Sequence, residues 1–565
     1  MRDGKLIRSI WVPAACAAVL VLSLISLAAG RSDVADAAMR GDAAAVRTLV
    51  AQKADVNATQ PDGATALHWA VHHGNRELVD LLVRAGANVK AANRIGVTPL
   101  SMASLNGNAA IIDLLLKGGA NANERGPNGE TPLMMAARNG NPDAIKVLLD
   151  RGADINAKDP LRETTALMWA VEQEHPAAVK ILIERGADVT ARSRVEAGRG
   201  GRGFAAGANA AGRGGGGARG GGQGGAQPTA DNPPVAVAAQ DDQDNNDNAG
   251  AGGGLTPVVF AARQGDIEST KLLLAAKADI NQTSAGGWTP LLTATKNGFY
   301  KLGKYLLEQG ADPNIANAGG WTPLYAATDN HNVDGGDYPT RKPDMNDLEY
   351  IKLLLARGAN VNARASTSRE RRTTFTGQWW SDAGATPFVR AAYSGDVALM
   401  RLLLEHGADP KIATRKNVTA LAVASGIGWV EGITHEWSAQ ESYQAVKLLL
   451  DLGVDVNAVD EDGRTALHGA AHKGRNDVVQ LLVDRGAKLD ALDGGSLDGR
   501  RQGILFGRRW LPLDYAEGIT RVGVQSAIPH PETAALLRKL MTERGLEAPP
   551  PGRNSTYSIC LVKVC

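Results

Sequence analysis

The sequence lacks the short motifs that mark the common chemistries. Its 565 residues contain no Gly-x-Ser-x-Gly nucleophile elbow, no phosphate-binding loop and no paired carboxylates in a suitable context. Neither sign of charge is in excess, since the chain has 61 Lys and Arg and 60 Asp and Glu. This balance gives no electrostatic reason to expect nucleic acid or an acidic membrane as the main partner.

Cysteine is also scarce. Of three cysteines, Cys16 lies in the apolar N-terminal segment, which leaves Cys560 and Cys565 in the C-terminal tail. In an oxidising compartment two cysteines so close most simply form a local disulfide, with intermolecular pairing as the alternative. A metal site there would need two further ligands, and the tail has no His, Asp or Glu beside them.

The N-terminus carries the pattern of a targeting segment. An apolar run over residues 10–29 follows three basic residues and ends in small residues at Ala28, Ala29 and Gly30. This order predicts a signal peptide over residues 1–30. The alternative is an uncleaved anchor, because twenty apolar residues can span a bilayer. Either way the body is exported, as a periplasmic or secreted protein or one anchored in the inner membrane.

One phrase, Thr-(Pro/Ala)-hydrophobe followed by a small-residue helix, dominates the rest of the chain. The step is 33 or 34 residues wherever nothing is inserted, and the phrase starts at Thr65, Thr98, Thr131, Thr165, Thr256, Thr289, Thr322, Thr386, Thr419 and Thr465, with a degraded copy at Leu511. Thr suits a helix N-cap, and Pro is tolerated at the first helical position. A Leu-Leu pair in a second helix and a Gly in a left-handed position complete each unit. No unit can bury its apolar face alone, so neighbours must stack.

The period and the segments TALHWAVHHGN (65–75) and TPLMMAARNGN (131–141) resemble the ankyrin repeat. The resemblance implies an all-α repeat solenoid of about eleven repeats, preceded by a half-unit cap at residues 34–58. Together with the targeting segment, it makes the chain similar to exported multi-ankyrin-repeat proteins of bacteria.

Composition divides the chain further. We predict a signal peptide or anchor at 1–30, a first array at 31–193, a disordered Gly-rich and acidic insertion at 194–254, a second array with long loop insertions at 255–547, and a tail at 548–565. The Gly-rich insertion falls where repeats normally join through a short loop. The repeats on its two sides are therefore expected to stack.

The resemblance also implies where a ligand binds. In ankyrin proteins the ligand face consists of the loop tips before Thr and the two residues that close the first helix. Carried over, those closing residues are His72, His73, Leu105, Asn106, Arg138, Asn139, Glu172 and Gln173 in the first array, and Arg263, Gln264, Lys296, Asn297, Asp329, Asn330, Tyr393, Ser394, His472 and Lys473 in the second. This mixed polar set favours a protein or peptide partner, and we predict no cofactor and no nucleic acid.

Tryptophans are concentrated in and around the loop insertions of the second array. Trp288 and Trp321 lie at loop tips, and Trp379, Trp380, Trp429 and Trp437 lie in inserted segments. Exposed Trp is enriched in binding hot spots, which suggests partner contacts. The alternative is that these loops pack on one another.

Two histidine pairs have metal-like spacing, His68 with His72 and His468 with His472. His68 and His468 occupy a position where His normally makes structural hydrogen bonds in this family, so no metal site is predicted. The sequence thus favours a non-enzymatic protein-binding scaffold of the cell envelope. Two alternatives stay open, an enzyme or metal protein using loop residues such as His435, Glu431 or Glu436, and a structural envelope component.

Export can be tested directly. We expect the mature chain to begin near Arg31, because basic residues, apolar run and small residues occur in signal-peptide order. Intact-mass measurement of the envelope-localised protein checks this expectation. A full-length mass would establish an anchor instead.

Overall fold

The computed structural model describes residues 32–196, 252–333, 342–366, 382–430, 434–494, 509–518 and 528–551. Within these ranges the chain is helical apart from one short strand pair. The chain forms two compact units. Unit 1 comprises Met1–Arg194 and Leu255–Asp279, and unit 2 comprises Val195–Gly254 and Ile280–Cys565.

Unit 1 is a succession of antiparallel helix pairs. Its helices are α1 (Asp33–Met39), α2 (Ala43–Ala51), α3 (Ala66–His72), α4 (Arg76–Arg84), α5 (Pro99–Leu105), α6 (Ala109–Lys117), α7 (Pro132–Asn139), α8 (Pro142–Asp150), α9 (Ala166–Glu172), α10 (Pro176–Glu184), α11 (Pro257–Gln264) and α12 (Ile267–Ala275). The first pair is the half-unit cap, and each later pair is one repeat. The predicted all-α solenoid is confirmed.

The repeated Thr stands at the N-cap of each first helix of unit 1 after the half-unit cap, and its side chain caps the helix in the predicted way at Thr98, Thr131 and Thr165. At Thr98 the side-chain oxygen accepts a hydrogen bond from the backbone N–H of Ser101 at 3.1 Å, and the Ser101 hydroxyl caps the Thr98 N–H in return. Most second helices of unit 1 begin instead at Asn or Asp, as where Asn75 accepts from the backbone N–H of Leu78. These side chains satisfy the backbone donors that a helix start leaves unpaired.

His68 performs the same capping and adds a link to the next repeat. Its Nδ1 accepts from the Thr65 backbone N–H at 3.1 Å, and its Nε2 donates to the Val97 carbonyl at 3.0 Å. Burial lowers the pKa of His68, which suits the neutral tautomer that these two bonds require. His468 makes the equivalent bonds to Thr465 and Trp510. The structural interpretation of both histidines is confirmed.

First helices of unit 1 pack in series, α3 on α5, α5 on α7 and α7 on α9. Their buried faces are built from Ala and a few larger apolar residues, which lets the helices approach closely. The series continues from α9 to α11, and from α10 to α12 among second helices. Repeats on either side of residues 197–251 therefore pack directly on each other, and a pair of hydrogen bonds between Ser193 and Leu255 closes the chain at that point.

A side-chain amide bridges successive repeats. Asn123 donates from Nδ2 to the Gly152 carbonyl at 2.8 Å and accepts from the Asp154 N–H at 2.7 Å. The same pair of bonds recurs at Asn57, Asn314 and Asn457. This Asn belongs to the Asn-Ala, or its equivalent, that closes a unit, so the closing segment of one repeat holds the helix end of the next.

Unit 2 repeats the same architecture with longer connections. Its helices are α13 (Pro290–Lys296), α14 (Tyr300–Glu308), α15 (Pro323–His331), α16 (Asp347–Ala356), α17 (Pro387–Tyr393), α18 (Val397–Glu405), α19 (Ala420–Ser425), α20 (Ala439–Asp451), α21 (Ala466–His472), α22 (Asn476–Asp484), α23 (Pro512–Ala516) and α24 (Pro531–Glu543). Strands β1 (Val195–Glu196) and β2 (Gly252–Gly253) pair antiparallel, with Val195 opposite Gly253.

Unit 2 places larger side chains between its second helices than the small-residue pattern suggests. Tyr300 of α14 and Tyr350 of α16 stack with ring centroids 4.2 Å apart. Gly303 makes this possible, because a Cβ there would lie 2.2 Å from the Tyr350 hydroxyl oxygen. The Tyr350 hydroxyl reaches Thr295 on α13 at 2.7 Å, so it is hydrogen-bonded despite its burial.

Several sequence predictions fall outside the described residues, namely the targeting segment, most of the Gly-rich insertion, and the pair Cys560 and Cys565. Among the residues that are described, no helix is long and apolar enough to cross a membrane. The proposed second array was predicted to begin at 255, a position that lies inside unit 1.

The amide bridge generates a stability prediction. Replacing Asn123 with Ala removes two hydrogen bonds between repeats, and we expect the free energy of unfolding to fall by about 1–2 kcal/mol. Urea denaturation followed by circular dichroism measures the change. The matched control is Asn128→Ala at an exposed loop tip, expected within about 0.5 kcal/mol of the wild type. Equal losses in the two variants would contradict a bridging role.

Candidate partner-binding site

Three positions of each first helix are candidates for partner contacts. The central position is the fourth residue after the capping Thr, and the helix-end positions are the seventh and eighth. Contacts tie these positions to the loop tip that precedes the Thr. The Trp69 indole N–H donates to Gln60 at 2.6 Å, and the Arg162 guanidinium pairs with Glu172 at 2.8 Å. Tips, central residues and helix ends thus lie on one face.

In unit 1 this face is open. The helix-end residues His72, His73, Leu105, Asn106 and Asn139 are exposed, and Arg138, Arg263 and Gln264 are partly exposed. Leu105 is 44% exposed, a high value for an apolar side chain. All eight residues were predicted as partner contacts, and each is accessible.

The central positions of four consecutive repeats in unit 1 carry large apolar side chains that the sequence reasoning missed. They are Trp69, Met102, Met135 and Trp169, and all four are partly exposed. We call this set the central stripe. The signal was present in the repeat register, because each residue stands four after its Thr. The next repeat ends the stripe, since Phe260 is buried.

Both ends of the central stripe are flanked by histidine or arginine side chains. The His72 ring lies edge-on to Trp69 with centroids 5.7 Å apart, and the His73 ring lies 6.4 Å away. At the other end the Arg138 guanidinium carbon lies 6.0 Å from the Trp169 ring centroid. This distance is at the outer limit of a cation–π contact.

Loop tips of unit 1 also present cations. Arg94 donates to the Pro61 carbonyl of the neighbouring tip, Arg125 to the Lys158 carbonyl at 2.8 Å, and Lys158 to the Arg192 carbonyl at 2.8 Å. Backbone carbonyls align these side chains without neutralising them, and all three residues are exposed. The tips therefore carry outward positive charge.

Acidic groups at the same tips are mostly turned inward or paired. Glu124 accepts from the Thr98 hydroxyl, Glu130 is buried, and Glu163 lies 3.4 Å from Arg194. Burial raises the pKa of Glu124. Asp62 is the exposed exception at the first tip.

In unit 2 the residues at the same positions are buried or bonded within the unit. Its central residues are Thr293, Ala326, Arg390, Val423, Gly469 and Tyr515, and all are buried. Arg390 is the unexpected member, a guanidinium only 1% exposed. Its Nε donates to Asp329 at 2.8 Å, and its other nitrogens reach Ser394 and the Asn332 carbonyl. Asp329 also pairs with Lys296 at 3.3 Å.

The inserted loop between α19 and α20 covers the helix ends of unit 2. Trp437 from this loop donates through its indole N–H to Asn332 at 2.9 Å and lies 5.0 Å from the His331 ring. Tyr393 donates its hydroxyl hydrogen to the Gly428 carbonyl at 2.9 Å. The loop thereby occupies positions that face outward in unit 1.

A second part of this loop neutralises the charge of Lys473 at the end of α21. Glu436 pairs with Lys473 and accepts from the Ser442 hydroxyl. The Lys473 ammonium lies 5.7 Å from the Trp429 ring centroid. Burial lowers the pKa of Lys473, and the Glu436 carboxylate offsets part of that effect. Glu436, named above as a catalytic alternative, is thus engaged in an internal ion pair.

These contacts correct several predicted partner contacts. Trp321 is 0% exposed and lies under the Lys296 ammonium, whose nitrogen is 4.4 Å from the ring centroid, so its prediction as an exposed contact is wrong. Tyr393 and His472 are wrong for the same reason, because both are buried. The Trp321 ring packs against Lys296 of α13 and Tyr325 of α15.

The remaining predicted contacts of unit 2 differ in their exposure and in their bonding. Trp437 is 45% exposed but hydrogen-bonded, while Trp288, Trp429, Asn297, Lys296 and Lys473 are partly exposed as residues. The Lys296 and Lys473 side chains are held in ion pairs. Trp379, Trp380 and Glu431 lie outside the described residues. No group of three or more potential metal ligands occurs in the described part of the chain.

Comparison with protein families gives one result over most of the chain. The model described as ankyrin repeats (3 copies) matches residues 34–126, 102–193, 258–365 and 431–493, and the single ankyrin repeat matches residues 383–415. Together these matches span more than half of the sequence.

Individual relatives match only in part. The palmitoyltransferase AKR1 of Lachancea kluyveri is 29% identical over 172 residues, 30% of this chain and 21% of that protein. The putative ankyrin repeat protein FPV219 of Fowlpox virus is 36% identical over 139 residues, 21% of this chain and 32% of the relative. The human ASB11 ankyrin repeat domain is 24% identical, with a TM-score of 0.36, over 50% of this chain and 100% of that domain. The chain thus spans a third or less of the length of these two curated relatives.

His472 generates a prediction about pH. Its burial, with repulsion from His530 as the next cause, lowers its pKa from 6.5 to about 3. Between pH 6.5 and about 3, His472 is therefore protonated in the unfolded chain but neutral in the native state. Neutral His472 therefore makes its full contribution to the free energy of unfolding above pH 6.5, and this contribution is lost as the pH falls towards 3.

Urea denaturation at pH 7 and pH 4.5 tests this effect in the wild type and His472→Gln. We expect the loss of stability between the two pH values to be smaller in the variant. An identical loss in both proteins would show that His472 is protonated in the native state.

Proposed function

Because this chain belongs to the ankyrin repeat family, whose members typically bind proteins, we propose that it is a non-enzymatic, exported scaffold that binds a protein or peptide partner on the open face of unit 1. One observation carries the proposal. The helix-end positions that the family uses for binding are accessible in unit 1, whereas in unit 2 several are occupied by the chain itself.

The composition of the open face supports a macromolecular partner. Exposed Leu105 sits among polar neighbours, and the central stripe adds two tryptophans, a residue type enriched in binding hot spots. An apolar centre with a polar rim is the usual anatomy of a protein interface. Residues 1–30, by their signal-peptide pattern, support a role in the cell envelope.

The alternatives draw less support. An enzyme on the loops of unit 2 that used Glu436 would have to break its ion pair with Lys473. The activity named for the palmitoyltransferase relative is not carried over, since the match covers 21% of that protein. A metal screen and a hydrolase panel on the purified protein would detect an enzyme or metal protein directly.

Partner binding by unit 1 can be tested with Leu105→Glu. A carboxylate at this exposed position should not disturb the fold, but it would have to be desolvated in the complex. We expect affinity capture from the native envelope to recover about tenfold less of the main partner, which corresponds to about 1.4 kcal/mol.

The matched control is Leu452→Glu, an exposed leucine at the end of α20 in unit 2, which should capture as the wild type does. Quantitative mass spectrometry of the captured proteins provides the measurement. If the control loses the partner and Leu105→Glu retains it, the binding surface belongs to unit 2 and the proposal fails.

A further inference from the structure

The open face of unit 1 combines two features that together restrict its ligand. It has the central stripe of Trp69, Met102, Met135 and Trp169, and it has a row of exposed cations at the loop tips. We infer that this face binds an acidic segment of another protein, in extended conformation, that carries large apolar side chains. The inference rests on the proposed function and adds the chemistry of the partner.

The apolar part of the ligand follows from the stripe. Trp and Met side chains bury large areas, and Met adapts its shape to different apolar groups. All four residues retain exposed surface after the repeats have packed. At each equivalent position of unit 2 the residue is buried, so exposure at this position is not a requirement of the fold.

The acidic part follows from charge complementarity. Arg94, Arg125 and Lys158 are exposed and bonded to backbone carbonyls, so their charges are available to an anionic ligand. Arg138 adds a fourth cation beside Trp169. At the same tips, Glu124 and Glu130 accept internal hydrogen bonds from Thr98 and Asn128. A basic ligand would be repelled by this arrangement, and an acidic one is steered towards it.

The extended conformation follows from the spacing of the stripe. Packed helices lie about 8–10 Å apart, which sets the step from one central residue to the next. A polyproline II chain advances about 9 Å in three residues and returns to the same face. One apolar side chain in every three residues would therefore meet successive members of the stripe. A segment of about ten residues reaches all four.

Selection from a displayed library of random 12-residue peptides tests the inference, with the full mature chain as bait. We expect enrichment of Asp and Glu together with large apolar residues at every third position. Fluorescence anisotropy of the selected peptides then measures affinity. Met102→Ala combined with Met135→Ala should weaken binding at least tenfold, because the middle of the stripe is removed.

A charge-reversal variant tests the acidic component separately. Changing Arg94, Arg125 and Lys158 to Glu should weaken the selected peptides at least tenfold. The matched control changes three exposed lysines of unit 2, Lys411, Lys416 and Lys488, to Glu and should bind as the wild type does. Circular dichroism confirms that all variants keep their helical content.

Different results would contradict the acidic-segment inference alone or the proposed function as well. Neutral apolar peptides that depend on Met102 and Met135 but ignore the charge reversal would overturn the inference and leave the proposed function standing. Enrichment of basic peptides, or of apolar residues spaced seven apart as on a bound helix, would also overturn it. Peptides that respond to neither variant would overturn both.

Discussion

Stacking of first helices on one another is the interaction on which the rest of the structure depends. Each first helix presents small side chains such as Ala103, Ala136 and Ala170 to its neighbours, and all three are fully buried. No single repeat could bury that surface alone, so the stability of each helix pair belongs partly to the next. The amide bridge from Asn123 and its equivalents acts at the same junction and fixes the register between repeats.

This constraint leaves the outward positions of each first helix free to vary, and the chain uses them in two ways. In unit 1 the central residues Met102 and Met135 keep exposed surface. In unit 2 the same position holds Arg390, which is buried in a network with Asp329 and Lys296. Burying such charges costs desolvation energy that pairing must offset, so the network does not by itself indicate high stability. It does hold α13, α15 and α17 in one arrangement.

Inserted loops explain the difference between the two kinds of face. The loop between α19 and α20 brings Trp437 to Asn332 and Glu436 to Lys473, contacts between residues 105 and 37 positions apart in sequence. Such contacts cover helix ends that a short loop would leave in solvent. Within each repeat of unit 1 a short loop joins the first helix to the second, and the helix ends stay accessible. Loop length within a repeat thus decides whether the family's binding positions are available.

The sequence by itself determined the fold and the location of the helix-end positions, because a 33-residue period fixes where each Thr, small residue and Gly must stand, although the central stripe was not recognised from it. It also identified the structural use of His68 and His468, since capping is a local interaction. The tertiary structure decided which of those positions stay open. Trp321 and Tyr393 look like exposed contacts in the sequence, but neighbours distant along the chain bury them, and periodicity carries no information about such neighbours. Charge pairing across repeats, as between Glu436 and Lys473, had to be seen in three dimensions for the same reason.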